Sequence, residues 1–416
     1  MTPEIPNIPA VEARKPTRIG VARLTKMAFD GVDFAPLWNE LVGEVQRNPA
    51  NAPALLDLSC IAQFTGDPQL GATLQSRALV QEVLYRSPCA TQTPRLRLLA
   101  FAAPTDMGGN TPVEFLLEGS DVELLTLYVA PGLALPDPLP QHDVALVTIP
   151  DSAETRPMLD AIQAFAAKWP RPVLNAPEAI KGLDRDTLYK TLAGIPGIEI
   201  PMTGRVSRSE LADMALSDVI LHDVIEDGRF PLIVRPAGSH AGNGLEKLDT
   251  PDSIERYLSA RREEKFFVSR FVDYGDADGQ FRKYRIVFVN RKAYACHMAV
   301  CAEWKVWYLN ADMAGDAGKR REEEAFMTGF DREFGRRHAD ALGEIASRIG
   351  LDYFAIDCAE TRDGKLLVFE ADNAAIVHNM DPAEVFPYKA PQMRKIFDAF
   401  VAMLYKYAGT EEARAA

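Results

Sequence analysis

The sequence predicts an α/β chain in three parts: an all-helical N-terminal cap, a small parallel α/β layer, and a larger α+β region of antiparallel strands with packed helices. Three observations carry that prediction. Apolar residues recur at helical spacing between Phe29 and Tyr85, at Leu37, Leu41, Val42 and Val45 and again at Leu55, Leu56, Leu58, Ile61 and Ala62. Beyond Arg95, short apolar runs alternate with helical segments, as strands joined by crossover helices do. From Asn175 onward, strand patterns come in pairs separated by turns such as Arg362-Asp363-Gly364. The expected divisions are a flexible tail (1–27), a helical accessory domain (28–92), a parallel α/β domain (93–175), an α+β domain (176–408) and a short tail (409–416). A length of 416 residues suits two or three domains at roughly 150 residues each.

Composition narrows the function classes. There are 46 Lys+Arg against 59 Asp+Glu, a net charge of −13, which argues against a nucleic-acid partner because phosphate binding depends on clustered cations. Hydrophobic content of 47% with 25% charged residues is that of a globular protein, which excludes a disordered or fibrous chain. No apolar run reaches the roughly 18 residues of a membrane span. The N-terminus is broken by Pro3, Pro6, Pro9 and Pro16 and lacks the apolar core of an export signal. The five cysteines show no CxxC spacing and read as free thiols. A cytoplasmic location is expected.

The elements follow in order. After the Pro-containing tail, the helical segments are interrupted at Asn48–Pro53 and Gly66–Pro68, resembling one or two tetratricopeptide-like hairpins without a visible second copy. Such a cap reads as a small accessory domain, with contact to a protein or peptide partner as its alternative use. Strands are expected at Leu96–Phe101, Val122–Val129, Asp143–Ile149 and Pro172–Leu174, with a short helix at Thr111–Glu118. A longer helix at Ala153–Trp169 puts Met158, Ile162 and Phe165 on one face, and Gly108-Gly109-Asn110 reads as a turn. Further on, the pattern gives a helix over 185–194, a strand–loop–strand unit over 231–247, and strands over 265–272, 283–290 and 293–299. A helix over 332–349 and strands over 353–360 and 365–371 close the set.

Two constellations carry chemistry. The apolar strand Phe230-Pro231-Leu232-Ile233-Val234 ends in Arg235-Pro236 and enters a loop containing Gly238, Ser239, His240, Gly242 and Gly244. Glycines allow backbone N–H groups to approach a phosphate, Ser239 and His240 add donors, and Arg235 offers a planar fork. A plain glycine-rich hairpin is the competing account. The second constellation is Asp357, on Phe354-Ala355-Ile356-Asp357, with Glu370 and Asp372 on Leu367-Val368-Phe369-Glu370-Ala371-Asp372. Alternation puts Glu370 and Asp372 on one face, and pairing of the two strands brings Asp357 beside Glu370. Three carboxylates ending apolar strands are costly to bury unless a cation shares them, and hard oxygen ligands suit Mg²⁺ bridging nucleotide phosphates.

In this order the motifs resemble the ATP-grasp superfamily, and among it carboxylate–amine ligases such as the ribosomal-protein glutamate ligases, glutathione synthetase and D-alanine–D-alanine ligase. The resemblance runs over roughly residues 95–408. It rests on Asn175-Ala176-Pro177-Glu178-Ala179-Ile180 with Asp184-Arg185, on Gly194-Ile195-Pro196 and Ile200-Pro201-Met202-Thr203, and on the strand and loop at 231–244. The strand Phe267-Val268-Ser269-Arg270-Phe271-Val272 and the closing Asp357 and Glu370-x-Asp372 complete it. Three positions depart from the family pattern: two phosphate-contacting lysines are Arg185 and Arg235, and a metal-binding asparagine is Asp372.

The resemblance implies an ATP-grasp domain behind a small pre-grasp domain and an ATP- and Mg²⁺-dependent ligase. It would join a carboxylate of an amino acid, small peptide or peptide tail to an amine through an acyl phosphate. ATP would be bound by Arg185, Arg235, Gly238, Ser239, His240, Gly242 and Gly244, by hinge backbone at Ser269, Arg270 and Val272, and by Asp276 or Asp278 at the ribose. Asp357, Glu370 and Asp372 would hold two Mg²⁺ ions, with Mn²⁺ as a substitute, and Arg285 would act with Arg235 at the transferred phosphate. His297, Trp304, Lys305, His378 and Asn379 are the candidate substrate contacts. A homo-oligomer fits the family, and a non-catalytic ATP-binding regulator or scaffold of the same fold is the alternative.

Overall fold

The computed structural model describes residues 17–409, apart from 217, 240–241 and 308–309. Helix α1 (Val21–Phe29) begins inside the segment expected to be a flexible tail. Leu24 is fully buried on its inner face, and Val21, Met27 and Ala28 pack around the same core. That stripe lies downstream of the last tail proline, so the tail boundary at residue 27 is corrected to a helix from Val21. Helices α2 (Ala35–Arg47), α3 (Ala52–Phe64) and α4 (Pro68–Gln81) follow. Asn51 and Asp67 cap the latter two, accepting from the N–H groups of Ala54 and Leu70. Every residue of α3 from Ala52 to Ala62 is buried, including Asp57. That carboxylate is compensated by the N–H of Ile19 at 2.7 Å and the Arg18 guanidinium at 3.6 Å.

The next segment runs β1 (Leu84–Arg86), β2 (Leu96–Ala102), α5 (Val113–Leu116), β3 (Val122–Tyr128), β4 (Val144–Val147), α6 (Arg156–Ala166) and β5 (Val173–Leu174). Its sheet has the order β1-β3-β2-β4-β5, with β2 to β5 parallel and the short β1 antiparallel on the edge. The buried runs Leu98–Phe101 and Val144–Val147 fit strands covered on both faces.

Then come α7 (Pro177–Ile180), α8 (Arg185–Leu192), β6 (Ile198–Glu199), β7 (Thr203–Ser207), α9 (Arg208–Asp213), α10 (Asp218–Val224), β8 (Leu232–Pro236), β9 (Glu246–Leu248), α11 (Pro251–Ser259) and β10 (Lys265–Arg270). A second, wholly antiparallel sheet has the order β7-β10-β8-β9. Last are β11 (Phe281–Val289), β12 (Lys292–Cys301), α12 (Ala317–Gly329), α13 (Phe334–Arg337), α14 (Ala339–Ile349), β13 (Tyr353–Glu360), β14 (Leu366–Asp372) and α15 (Lys389–Tyr407). They build the third sheet, β12-β11-β13-β14-β6, against which α12, α14 and α15 pack. The helix expected over 332–349 is interrupted at His338, whose ring turns to the Glu360 carboxylate at 2.7 Å. Helix α12 covers the charge-rich 319–324 stretch, yet Glu323 within it is fully buried.

Asn175 joins the first sheet to the third. It is fully buried and sits at φ 55°, a left-handed conformation that asparagine tolerates better than most residues. Its amide donates to Tyr353 O at 2.8 Å, while its carbonyl accepts from the N–H groups of Asp352 and Tyr353, both at 2.9 Å. The start of β13, and with it Asp357, is thereby held to the end of β5.

Candidate active site

The site is built where the second and third sheets face each other. In the β13–β14 ladder, Asp357 pairs with Glu370 and Ala355 with Asp372, so the three carboxylates share one face of the third sheet. On β11, Lys283 and Arg285 stand two residues apart on that face, and Arg285 pairs in register with Asp357. The Arg285 guanidinium grips Asp357 at both oxygens, Nε to Oδ1 at 2.7 Å and Nη2 to Oδ2 at 3.0 Å, and Lys283 Nζ adds a contact to Oδ2 at 2.7 Å.

The second sheet supplies the opposing charge. Arg235, at the end of β8 and mostly buried, lies 4.0 Å from Glu370 Oε2, and Arg185 from the first turn of α8 donates to the same oxygen. Arg235 also donates to Ser239 Oγ (3.2 Å) and to the Ser239 carbonyl, folding the glycine-rich loop back onto itself. Glycine is required at the loop's far end: Gly244 has φ 68°, and a Cβ there would meet Pro236 Cδ at 2.6 Å.

These contacts set the protonation states. Burial pushes the Asp357 carboxyl up, but Arg285 and Lys283 outweigh it and hold it well below the usual carboxylate range. Glu370 is likewise raised by burial and by Asp357, yet ends lowered through Arg185, Lys283 and Arg235. Arg235 falls to about 10, chiefly through burial and then through the neighbouring Arg185. The site is an array of ionised groups, with cations from two sheets meeting carboxylates from one.

The remaining expected residues divide. Ser269 and Arg270 end β10, but the Arg270 side chain is taken by Glu199 and by Asp227 at 2.6 Å, leaving only its backbone for a ligand. Val272 packs with Tyr274 and Phe369 beside the strand carrying Glu370. Asp276 lies in the loop between β10 and β11. It binds Arg282 at 2.6 Å together with Asp278 and Glu322, and alternation puts Arg282 on the opposite face of β11 from Lys283 and Arg285. Both carboxylates expected at a ribose are thus engaged by Arg282.

Trp304 and Lys305, expected as substrate contacts, also have protein partners. The Trp304 ring packs edge-on to Phe271 at 5.7 Å, and Lys305 Nζ donates to Leu245 O at 3.1 Å, so both close on the hinge and the glycine-rich loop. His297 pairs in register with Arg285, and burial keeps its imidazole well below the ordinary pKa. His378, with Asn379 beside it, lies in the segment after β14; its Nδ1 accepts from Met380 N–H, and burial lowers its pKa. His240 lies outside the described residues.

Sequence reasoning passed over Lys283, although Lys283-x-Arg285 on a strand is the two-residue spacing that puts both cations on one face. It also passed over a buried network behind the site. Lys389 bridges Glu323 at 3.3 Å and Asp381 at 2.8 Å, and Tyr388 donates to Glu323 at 2.6 Å. Among the described residues no three His, Cys, Asp or Glu side chains converge as a metal cage. No helix among them is long and apolar enough to cross a membrane.

Neither a protein-family model nor a curated protein matches the chain. Solved structures do. The chain is similar to a RimK domain ATP-grasp protein from Sphaerobacter thermophilus, with 17% identity and a TM-score of 0.42 over 75% of this chain and 99% of that one. It is similar to the VanG D-Ala:D-Ser ligase from Enterococcus faecalis, with 10% identity, a TM-score of 0.46 and coverage of 75% and 99%. The D-alanine–D-alanine ligase from Bacillus anthracis, solved with ATP, aligns with 11% identity and a TM-score of 0.44 over 76% of this chain and 98% of that one. Every one of these TM-scores lies below 0.5, which leaves function to be argued from the chain's own residues.

Proposed function

We propose that this chain is an ATP-grasp ligase that joins a carboxylate to an amine, with ATP converted to ADP and phosphate. The observation that carries the proposal is the meeting of Arg185 and Arg235 from one side with Glu370 from the other, directly beside the Arg285–Asp357 pair. Nucleotide phosphates fit between facing sheets lined in this way, with the base toward the hinge at Ser269–Val272 and the glycine-rich loop over the phosphates.

In the proposed reaction a substrate carboxylate oxygen attacks the γ-phosphorus and the bond to the ADP oxygen breaks. The amine nitrogen then attacks the acyl carbon, phosphate leaves, and the amine loses a proton. Arg185 and Arg235 would spread charge on the transferring group, and Arg285, held against Asp357, would meet the acyl phosphate oxygens with its remaining N–H groups. The glycine-rich loop, braced by Lys305, would keep water from the intermediate. The donor chemistry of Glu370 and Asp372 fits a hard divalent cation, whose bound charge would polarise the phosphate oxygens. His297, paired with Arg285 in the β11–β12 ladder, and His378 would serve the amine acceptor.

The test is product analysis with Mg-ATP and pooled amino acids, short peptides and peptide tails. Substrate-dependent ADP and phosphate are expected, with Glu370→Gln lowering turnover at least 100-fold while the circular dichroism spectrum is retained. AMP as product would sink the acyl-phosphate route. ATP bound and unconsumed across all pools would favour the regulator over the ligase.

A further inference from the structure

The resemblance implies two divalent ions shared by Asp357, Glu370 and Asp372, and the carboxylates of this chain are not equivalent enough for that. Asp357 has only 3% of its side chain exposed, and three N–H groups from Arg285 and Lys283 already occupy both of its oxygens. A Mg²⁺ ion needs about six oxygens in near-octahedral array and keeps several waters. Three of the roughly four acceptor sites of Asp357 are taken, and an ion there would sit against two cations. Glu370 is different. Its side chain is 34% exposed, its contacts with Arg185 and Arg235 both go to Oε2, and its Oε1 has no partner among the described residues.

Resting on the ligase reading, we propose that the site takes one divalent cation, held by Glu370 and Asp372, and that Lys283 is a built-in cation standing in place of a second. Two features of the chain agree. Asp372 has a charge where the family pattern has asparagine, which strengthens the ion site on β14. Lys283 brings an extra positive charge to the other side, at Asp357. Its position suits a phosphate neighbour. Phe281, Lys283 and Arg285 follow one another on one face of β11, and Phe281 packs on Tyr274 of the hinge with ring centroids 5.0 Å apart. Lys283 therefore lies between the hinge end of the cleft and Arg285, along the line a nucleotide would take. The ion count is thus set by the chain itself, through a lysine that cannot dissociate as a metal does.

Equilibrium dialysis with Mn²⁺, read by electron paramagnetic resonance, tests this with and without a non-hydrolysable ATP analogue. The unaltered chain is expected to take one Mn²⁺ in either condition, more weakly without nucleotide. Lys283→Ala should admit a second, raising the count from one to two, while Lys283→Arg should stay at one and Glu370→Gln should weaken the single ion at least tenfold. Two ions in the unaltered chain, or one ion still in a folded Lys283→Ala, would overturn the inference. Should Lys283→Ala fail to fold, Lys283→Gln is scored by the same count. Failure of the analogue to bind would count against the ligase reading alone, because the Mn²⁺ counts without nucleotide still decide the role of Lys283.

Discussion

Replacing Asn175 with alanine removes the tie between the first and third sheets, and its effect can be worked out group by group. The side chain makes three hydrogen bonds of 2.8 to 2.9 Å in a fully buried position. Deleting it leaves one carbonyl and two N–H groups of the β13 entry without these partners. At about 1–3 kcal/mol for each buried group left unsatisfied, the loss is roughly 3–6 kcal/mol once partial relaxation is allowed. The left-handed φ of 55° adds about 1 kcal/mol for alanine that glycine does not pay. A domain holds only about 5–15 kcal/mol in total, so Asn175→Ala is expected to lower the urea midpoint severely or to unfold the third sheet. Asn175→Gly should recover the φ term alone, about 1 kcal/mol, in tryptophan-monitored urea unfolding. Site function should suffer too, since the β13 entry positions Asp357; nucleotide affinity is expected to fall in parallel. A loss below about 1 kcal/mol for Asn175→Ala would show that the β13 entry is anchored by other contacts. Equal stabilities for the alanine and glycine variants would refute the backbone part of the reasoning.

Two further outcomes are expected. Gly244→Ala forces a Cβ to within 2.6 Å of Pro236 Cδ at a positive φ, so nucleotide affinity should drop about tenfold, or 1.4 kcal/mol, by calorimetry; unchanged affinity would remove the loop from the nucleotide site. His142 has Nδ1 bonded to Pro140 O and Nε2 accepting from Trp169 Nε1, and burial lowers its pKa. The unfolded chain then binds a proton that the folded chain does not. This contribution is complete above the unfolded value near 6.5 and is lost as pH falls through the lowered folded value, at up to about 1.4 kcal/mol per pH unit. His142→Gln should flatten that slope in urea midpoints measured between pH 7.5 and 5, and an unchanged slope would show that other groups produce it.

How much of this molecule is legible without its fold depends on how far apart the interacting groups lie. The buried strand runs Leu96–Phe101 and Val144–Val147, the glycine-rich loop after Arg235 and the order of the closing carboxylates are local patterns, and each reads directly from apolar period and turn chemistry. Helix α1 was obscured because the prolines before it dominate the composition of the segment, and β1 because three residues carry too little periodicity. Within the site, alternation along β14 predicts that Glu370 and Asp372 share a face. It cannot say which cations meet them. Arg185 lies 185 residues from Glu370, and Arg285 lies 72 from Asp357. The first exists only once α8 is packed across from β14, and the second only once β11 pairs with β13 in register.

The same limit holds for other expected residues. The sequence does not show that Asp276 and Asp278 are held by Arg282, or that Trp304 packs on Phe271 and Lys305 on Leu245 O. By itself, the sequence determined most of the longer elements, their order and the kind of charge the cleft would hold, because these follow from residue type and spacing along the chain. Only the tertiary structure decided which charges cancel: Lys283 and Arg285 pair with Asp357, while among the described residues the cations at Glu370 meet only its Oε2. Strand register and sheet facing bring groups far apart in the chain to hydrogen-bond distance, and no local pattern records that distance.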